Sequence, residues 1–175
     1  AIIGFIIALG AITYGGFIYD VLITALALLG WREFVLLSKA KCIRVPVLWG
    51  YLAILGILIP LWFDVYIISI AIFGFFLLAN YMICTFGEHK YTMSSVGHSL
   101  FGFLYVGLGF LSLLLIRHNG TYENLHMPVD GDAWGVVILW LLLFSTWASD
   151  TFAYFAGSAF GKRKIVPTIS PNKTL

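Results

Sequence analysis

Charge is scarce in this sequence. Of 175 residues, 10% are Asp, Glu, Lys or Arg, against about 25% in an ordinary soluble domain. Apolar residues make up 61%, and the mean hydropathy is +0.99. A soluble fold of this size has too little interior to hide that much apolar surface. The shortage of charge therefore excludes a soluble domain, and no nucleic acid is expected among the partners. Cysteine is nearly absent. Cys42 and Cys84 form no CxxC and no Cys/His cluster, which excludes a disulfide framework and leaves two structural or incidental thiols. The histidines His89, His98, His118 and His126 form no metal pattern. His118 and His126 fall in a polar stretch and are expected to be solvated. The opening run AIIGFIIALGAITYGGFIY lacks a basic start and a cleavage site, so it reads as a span and not as a signal peptide. The sequon matches at Asn119 and Asn172 carry no weight.

What is present is a series of apolar runs of roughly membrane-crossing length, about 20 residues each. Six segments are expected, at about 1–19, 21–38, 46–63, 65–86, 95–116 and 133–160. The breaks between them are Asp20, the stretch from Lys39 to Arg44 before Pro46, Asp64, Gly87 to Ser94, and Arg117 to Asp132. Pro60 lies near the end of the third segment, where a kink or stop is tolerated. The fold class is all-α: a polytopic membrane bundle of about six transmembrane helices. Residues 1–175 are expected to form a single transmembrane domain with a cytoplasmic basic loop at 161–175. The chain starts at Ala1 and stops at Leu175 within a loop, and is expected to be part of a longer protein.

Alternating the six segments places Arg32, Lys39, Lys41, Arg44, Lys90, Lys162, Arg163, Lys164 and Lys173 on one side, nine of the ten basic residues. Arg117 falls on the other side with Asp20, Asp64, Glu123, Asp130 and Asp132. Basic residues favour the cytoplasmic face, so the nine-residue side is read as cytoplasmic. Trp31, Trp49, Trp62, Trp134 and Trp147 fall near expected segment ends, as an interfacial belt requires.

Two features are candidates for chemistry. Asp150 follows WGVVILWLLLFSTWAS, at the cytoplasmic end of the sixth segment. A carboxylate in a span is disfavoured by about 2.5–3.5 kcal/mol at mid-bilayer and by less near the interface. Such an acid either serves a site or pairs with a buried donor between helices. Asp150, Tyr154, Gly157 and Gly161 share one helical stripe, and Ala153 with the glycines keeps it small, open to a helix or a substrate. The second feature is GKRKIVPTISPNKT, running from Gly161 to Thr174. Pro167 and Pro171 prevent a further helix. The loop carries Lys162, Lys164, Ser170, Lys173 and Thr174, the ammonium and hydroxyl donors that phosphates need. Lys162, Arg163 and Lys164 alone read equally as an anchor on anionic lipid. The loop is not a P-loop, because the spacing of Gly157, Gly161 and Lys162 is wrong and no glycine precedes Lys173. Arg32 and Glu33 mark a membrane edge or form an ion pair. Glu88 to Lys90 reads as a solvated loop.

The stretch DTFAYFAGSAFGKRKIVPTISPNKT, from Asp150 to Thr174, resembles the bacterial phosphatidate cytidylyltransferase family, the CDP-diacylglycerol synthases. There it reads roughly D-x-x-A-Y-x-x-G-x-x-F-G-K-x-K-L-x-P-x-I/V-S-P-x-K-T. Glu33, in a Glu-Phe pair within an early span, also fits. The likeness is close over residues 150–174 and loose over the rest. It implies that CTP and phosphatidate yield CDP-diacylglycerol and pyrophosphate with Mg²⁺ as cofactor. It also implies a multi-pass location in the cell's inner (cytoplasmic) membrane among membrane lipids, and a homodimer. Asp150 would be catalytic, and Tyr154, Lys162, Lys164, Ser170, Lys173 and Thr174 would bind substrate. The family's metal-binding aspartates lie in a downstream signature not reached by Leu175. No metal ligand is therefore expected within this chain, and the chain alone is expected to lack a complete active site. Two alternatives stand: a CTP-dependent polyprenol or phytol kinase, and a transporter or non-catalytic membrane subunit. Clustering of polar groups at one cytoplasmic edge, without an inverted repeat, disfavours the transporter.

Overall fold

A computed structural model describes residues 2–86, 91–118 and 131–160. All regular structure among them is helical. Six helical segments follow one another: α1 (Ile2–Tyr14), α2 (Gly16–Ala40), α3 (Val47–Leu58) with a 3₁₀ turn (Ile59–Phe63), α4 (Tyr66–Phe86), α5 (Met93–Phe103) joined through a π-helical turn (Leu104–Leu108) to α6 (Gly109–His118), and α7 (Gly131–Phe160). Four stretches are long and apolar enough to cross a membrane: Gly16–Ala40, Tyr66–Ile83, Met93–His118 and Trp134–Ala159. The 13 residues of α1 rise only about 20 Å, short of a hydrocarbon core of about 30 Å. The third segment, Val47–Phe63, is also shorter than the four spans.

The chain divides into two compact units, residues 1–135 and 136–175. In the first, α2 is central and touches α1, α3, α5 and α6. It buries Tyr19, Ile23, Ala27, Trp31 and Val35. These recur every four residues and form one stripe of the helix. Also buried are Ile54, Ile57, Leu58 and Leu61 of the third segment and Phe103, Val106 and Leu114 from α5 to α6, elements that pack against α2. Phe76 of α4 stacks obliquely on Phe103, with ring centroids 4.1 Å apart. Trp31 is wholly buried, and its indole N–H donates to the Val47 carbonyl at 3.0 Å. It is a core residue and not part of an interfacial belt: Gly50, having no side chain, leaves room for its ring against α3.

The turns follow from local chemistry. Pro60 opens the 3₁₀ turn, where its missing N–H costs no bond. Asp64 then ends the turn at φ 58°, in the left-handed region that Asp tolerates better than most side chains. Thr92 caps α5, its hydroxyl accepting from the Ser95 N–H at 3.3 Å. The first break differs from the sequence expectation. The chain bends at Gly15, with φ 66° and ψ −152°, a conformation essentially confined to glycine. Asp20 is no break: it lies inside α2, with only 3% of its surface exposed.

The second unit is carried by α7, on which Phe144, Phe152, Tyr154 and Phe155 are exposed apolar side chains. Trp140 stacks on Phe144 at 5.2 Å, one turn along the same helix.

Candidate functional site

The helix that precedes the basic segment in sequence is α7. It is a 30-residue helix, and it continues through Asp150 without a break. Asp150 and Tyr154 are one turn apart on it, and both are exposed, Tyr154 at 72%. Gly157 extends the same stripe and is half-buried. Ala153 lies alongside, so the bulk on this face comes from Tyr154, whose ring meets Phe155 edge-on at 5.7 Å. Asp150 thus lies ten residues before the end of α7 at Phe160, an exposed carboxylate beside a small residue and open to a charged ligand. Lys162, Arg163, Lys164, Ser170, Lys173 and Thr174 lie outside the described residues, as do Glu88 and Lys90.

On α2, Arg32 Nη1 lies 3.5 Å from Glu33 Oε1, and both side chains are more than half exposed. An exposed pair of this kind is worth little, about 0–1 kcal/mol. The pair lies about 10 Å before the helix end at Ala40, two turns inside it.

A cluster that sequence reasoning missed sits at the opposite end of the first unit. His118, at the end of α6, donates from Nε2 to Asp20 Oδ1 at 2.8 Å. Its Nδ1 lies 3.8 Å from Asp64 Oδ1. Tyr66 donates its hydroxyl to the same Asp64 oxygen at 3.1 Å. Tyr19 donates to the Leu113 carbonyl at 3.1 Å, and the Arg117 guanidinium fills the space beside Gly15. Phe17 meets Trp62 edge-on at 5.4 Å and packs the same end of α2 against the 3₁₀ turn. His118 is therefore not solvated; its side chain keeps 19% exposure, between two acids. The sequence carried only a weak signal for this. Asp20, Asp64 and His118 were visible as rare polar residues, but Asp20 and His118 are 98 positions apart.

Further polar groups are buried between the helices. Thr24, Ser69, Asn80 and Ser99 are each under 10% exposed. Asn80 donates its amide to the Phe76 carbonyl at 2.9 Å, a bond within its own helix, while its Oδ1 has no partner among the described residues.

A magnesium site draws on several oxygen ligands, usually with more than one carboxylate. Among the described residues no group of three His, Cys, Asp or Glu side chains is arranged to hold an ion. Asp150 on α7 does not by itself meet that requirement.

Four long apolar helices and a mostly apolar exterior define a multi-pass helical membrane protein. Within that class the chain belongs to the cytidylyltransferase family, whose model matches residues 1–175. It is 28% identical over 176 residues to a phosphatidate cytidylyltransferase of Bacillus subtilis (strain 168), covering 97% of this chain and 60% of that protein. It is 28% identical over 179 residues to the protein of that name from Staphylococcus aureus (strain COL), covering 100% of this chain and 62% of the relative. The corresponding Staphylococcus haemolyticus (strain JCSC1435) protein is 30% identical, with coverage of 100% and 62%. The chain thus spans about three fifths of the length of these relatives. No solved structure matches it.

Proposed function

We propose that this chain serves CTP:phosphatidate cytidylyl transfer, as part of an enzyme of the relatives' full length in the inner (cytoplasmic) membrane. The observation that carries the reading is the run from Asp150 to Thr174. It joins an exposed acid on the last third of a membrane-length helix to a Lys-, Ser- and Thr-bearing segment, in a chain whose family is established. In the reaction, a phosphate oxygen of phosphatidate attacks the α-phosphorus of CTP. The bond from that phosphorus to the β-phosphate bridging oxygen breaks, and pyrophosphate leaves with the electron pair. Such chemistry asks the protein mainly for positioning and charge stabilisation. Lys162, Lys164, Ser170, Lys173 and Thr174 have the donors to hold phosphate oxygens. Tyr154 offers a hydroxyl and a flat ring beside Asp150. When bound, Mg²⁺ would offset phosphate charge, with ligands supplied mainly from outside this chain. A location at the membrane edge suits the substrates, because one is a lipid and the other is dissolved in water.

The test is conversion of labelled CTP by purified protein with phosphatidate and Mg²⁺. A protein with this chain at the relatives' full length should form CDP-diacylglycerol. Residues 1–175 alone should insert in membranes and form none above background. Product from the 175-residue chain would place the metal site within it and overturn that part of the reading. Phosphorylation of a polyprenol in place of cytidylyl transfer by the longer protein would overturn the rest.

A further inference from the structure

We propose that the exposed pair Arg32 and Glu33 marks a docking face on α2 for a membrane-crossing helix of the full-length enzyme, one that presents hydrogen-bonding side chains to the pair. That helix would come from the two fifths or so of the relatives' length that this chain does not span. The inference rests on the reading that the chain is part of an enzyme of that length. Arg32 and Glu33 lie on the outward side of α2, turned away from the stripe that buries Trp31 and Val35. Leu29 and Leu36 flank Arg32 at helical spacing, Leu26 and Leu37 flank Glu33, and all four are exposed. The pair is thus an island of charge in an apolar face. Among the described residues each of the two has only the other as an ion-pair partner, at 3.5 Å.

Depth decides against water as the partner. The polar cluster around Asp20 lies toward one end of α2. Glu33 is 13 residues further along the same continuous helix, or about 20 Å. A hydrocarbon core of about 30 Å that begins near Asp20 therefore still encloses the pair. The Cα–Cβ bonds of a helix tilt toward its N-terminus. Both side chains are thereby turned away from the nearer end of α2 at Ala40, which works against their snorkelling to that surface. Charges at such a depth face a protein interior or an aqueous cavity and find partners there. An acyl chain offers neither donor nor acceptor, whereas a packed helix can offer both without admitting water. A further part of the same polypeptide is the partner best placed to do so. Tethering holds it near the face at high effective concentration, while a second copy has to be recruited from the membrane.

The test places nitroxide spin labels beside the pair, at Leu29→Cys and Leu36→Cys made singly, with the other cysteines replaced by serine. The protein of the relatives' full length is held in lipid nanodiscs. Collisions with oxygen, which dissolves among acyl chains, and with a water-soluble nickel chelate read what surrounds each label. Both rates should be low in the longer protein, and the oxygen rate about twofold or more below that of the same labels in residues 1–175 alone, as a packed helix excludes lipid. Equal oxygen rates in the two proteins overturn the proposal, since the added part then leaves the face as it was. A high rate with the nickel chelate overturns it in favour of a water-filled cavity, and dipolar broadening between labels on two molecules in favour of a second copy. A second variant of the longer protein gives an independent reading. Arg32→Leu with Glu33→Leu makes the face wholly apolar, which suits lipid and leaves polar partners on a docked helix unpaired. It should melt about 3 °C or more below the parent by tryptophan fluorescence, and melting at or above the parent's temperature overturns the docking face. Conversion of labelled CTP by the same protein keeps the two readings apart: product formed while the labels still meet lipid sinks the docking face and leaves the reaction standing.

Discussion

Asp150 was visible in the sequence because a lone acid in an apolar run stands out, and the fold leaves it exposed on α7. Its proposed role requires its charge. In the full-length enzyme, Asp150→Asn is expected to lower turnover at least about tenfold, or about 1.4 kcal/mol of barrier. Normal turnover with normal expression would return Asp150 to a packing role. The basic segment gives a sharper comparison. Ser170 and Lys173 flank Pro171, whose ring restricts the backbone that carries their donors. Lys173→Ala should remove a charge-assisted bond of about 1.5–3 kcal/mol, weakening kcat/KM about 10- to 150-fold. Arg163→Ala, in a cluster that can anchor redundantly, should change it less than about threefold. If Arg163→Ala does more damage, Lys162 to Lys164 is the phosphate site. Asp20, Trp31 and His118 were misread. A charge reads locally as a break and a tryptophan near a segment end reads as a belt. Asp20 was paired by a histidine from a distant helix, and Trp31 was accommodated by a glycine 19 positions later. Neither partner can be read from local pattern.

At the scale of elements, most boundaries were legible, because apolar runs bounded by polar breaks are the strongest signal a membrane protein gives. The second through sixth segments fall within a few residues of their expected limits. The first break moved because backbone geometry, and not polarity, decides where a helix stops. Gly15 occupies a φ, ψ pair that a Cβ disfavours, and Arg117 stands where that Cβ would go. Gly15→Ala should therefore destabilise the first unit by about 1–3 kcal/mol. The check is the melting temperature, with Gly10→Ala, where a Cβ meets nothing within 4 Å, as the control expected to melt at or above the parent's temperature. Equal melting of the two variants would mean that the bend is not held by Gly15.

For the whole molecule, charge distribution is the organising feature. In the first unit the basic end of α2 and the Asp20–His118 cluster lie at opposite ends of one long helix. If the nine-to-one division of basic residues sets orientation, cysteines introduced at 39–44 and 162–174 should label only from the cytoplasmic side, and those at 118–131 only from outside. Labelling of position 164 from outside intact cells would reverse the assignment. The proposed site was legible as a set of residue types in one short run, and the resemblance was carried by that run. The geometry of a site was not legible, since it depends on contacts between distant segments.

The π-helical turn from Leu104 to Leu108 has a consequence for how this chain tolerates insertions and deletions. Such a turn accommodates one more residue than an α-turn. Removing Tyr105, a side chain that is 73% exposed, would let the turn close as ordinary α-helix, leaving Phe103 and Leu114 on their present faces. The same deletion at Leu111 in α6 would rotate everything after it by about 100°, carrying Leu114 and His118 away from their partners. A scan of single-residue deletions along residues 93–118 should therefore find folded protein concentrated at 104–108. The helix is expected to be brittle to changes of length everywhere except at this one surplus residue.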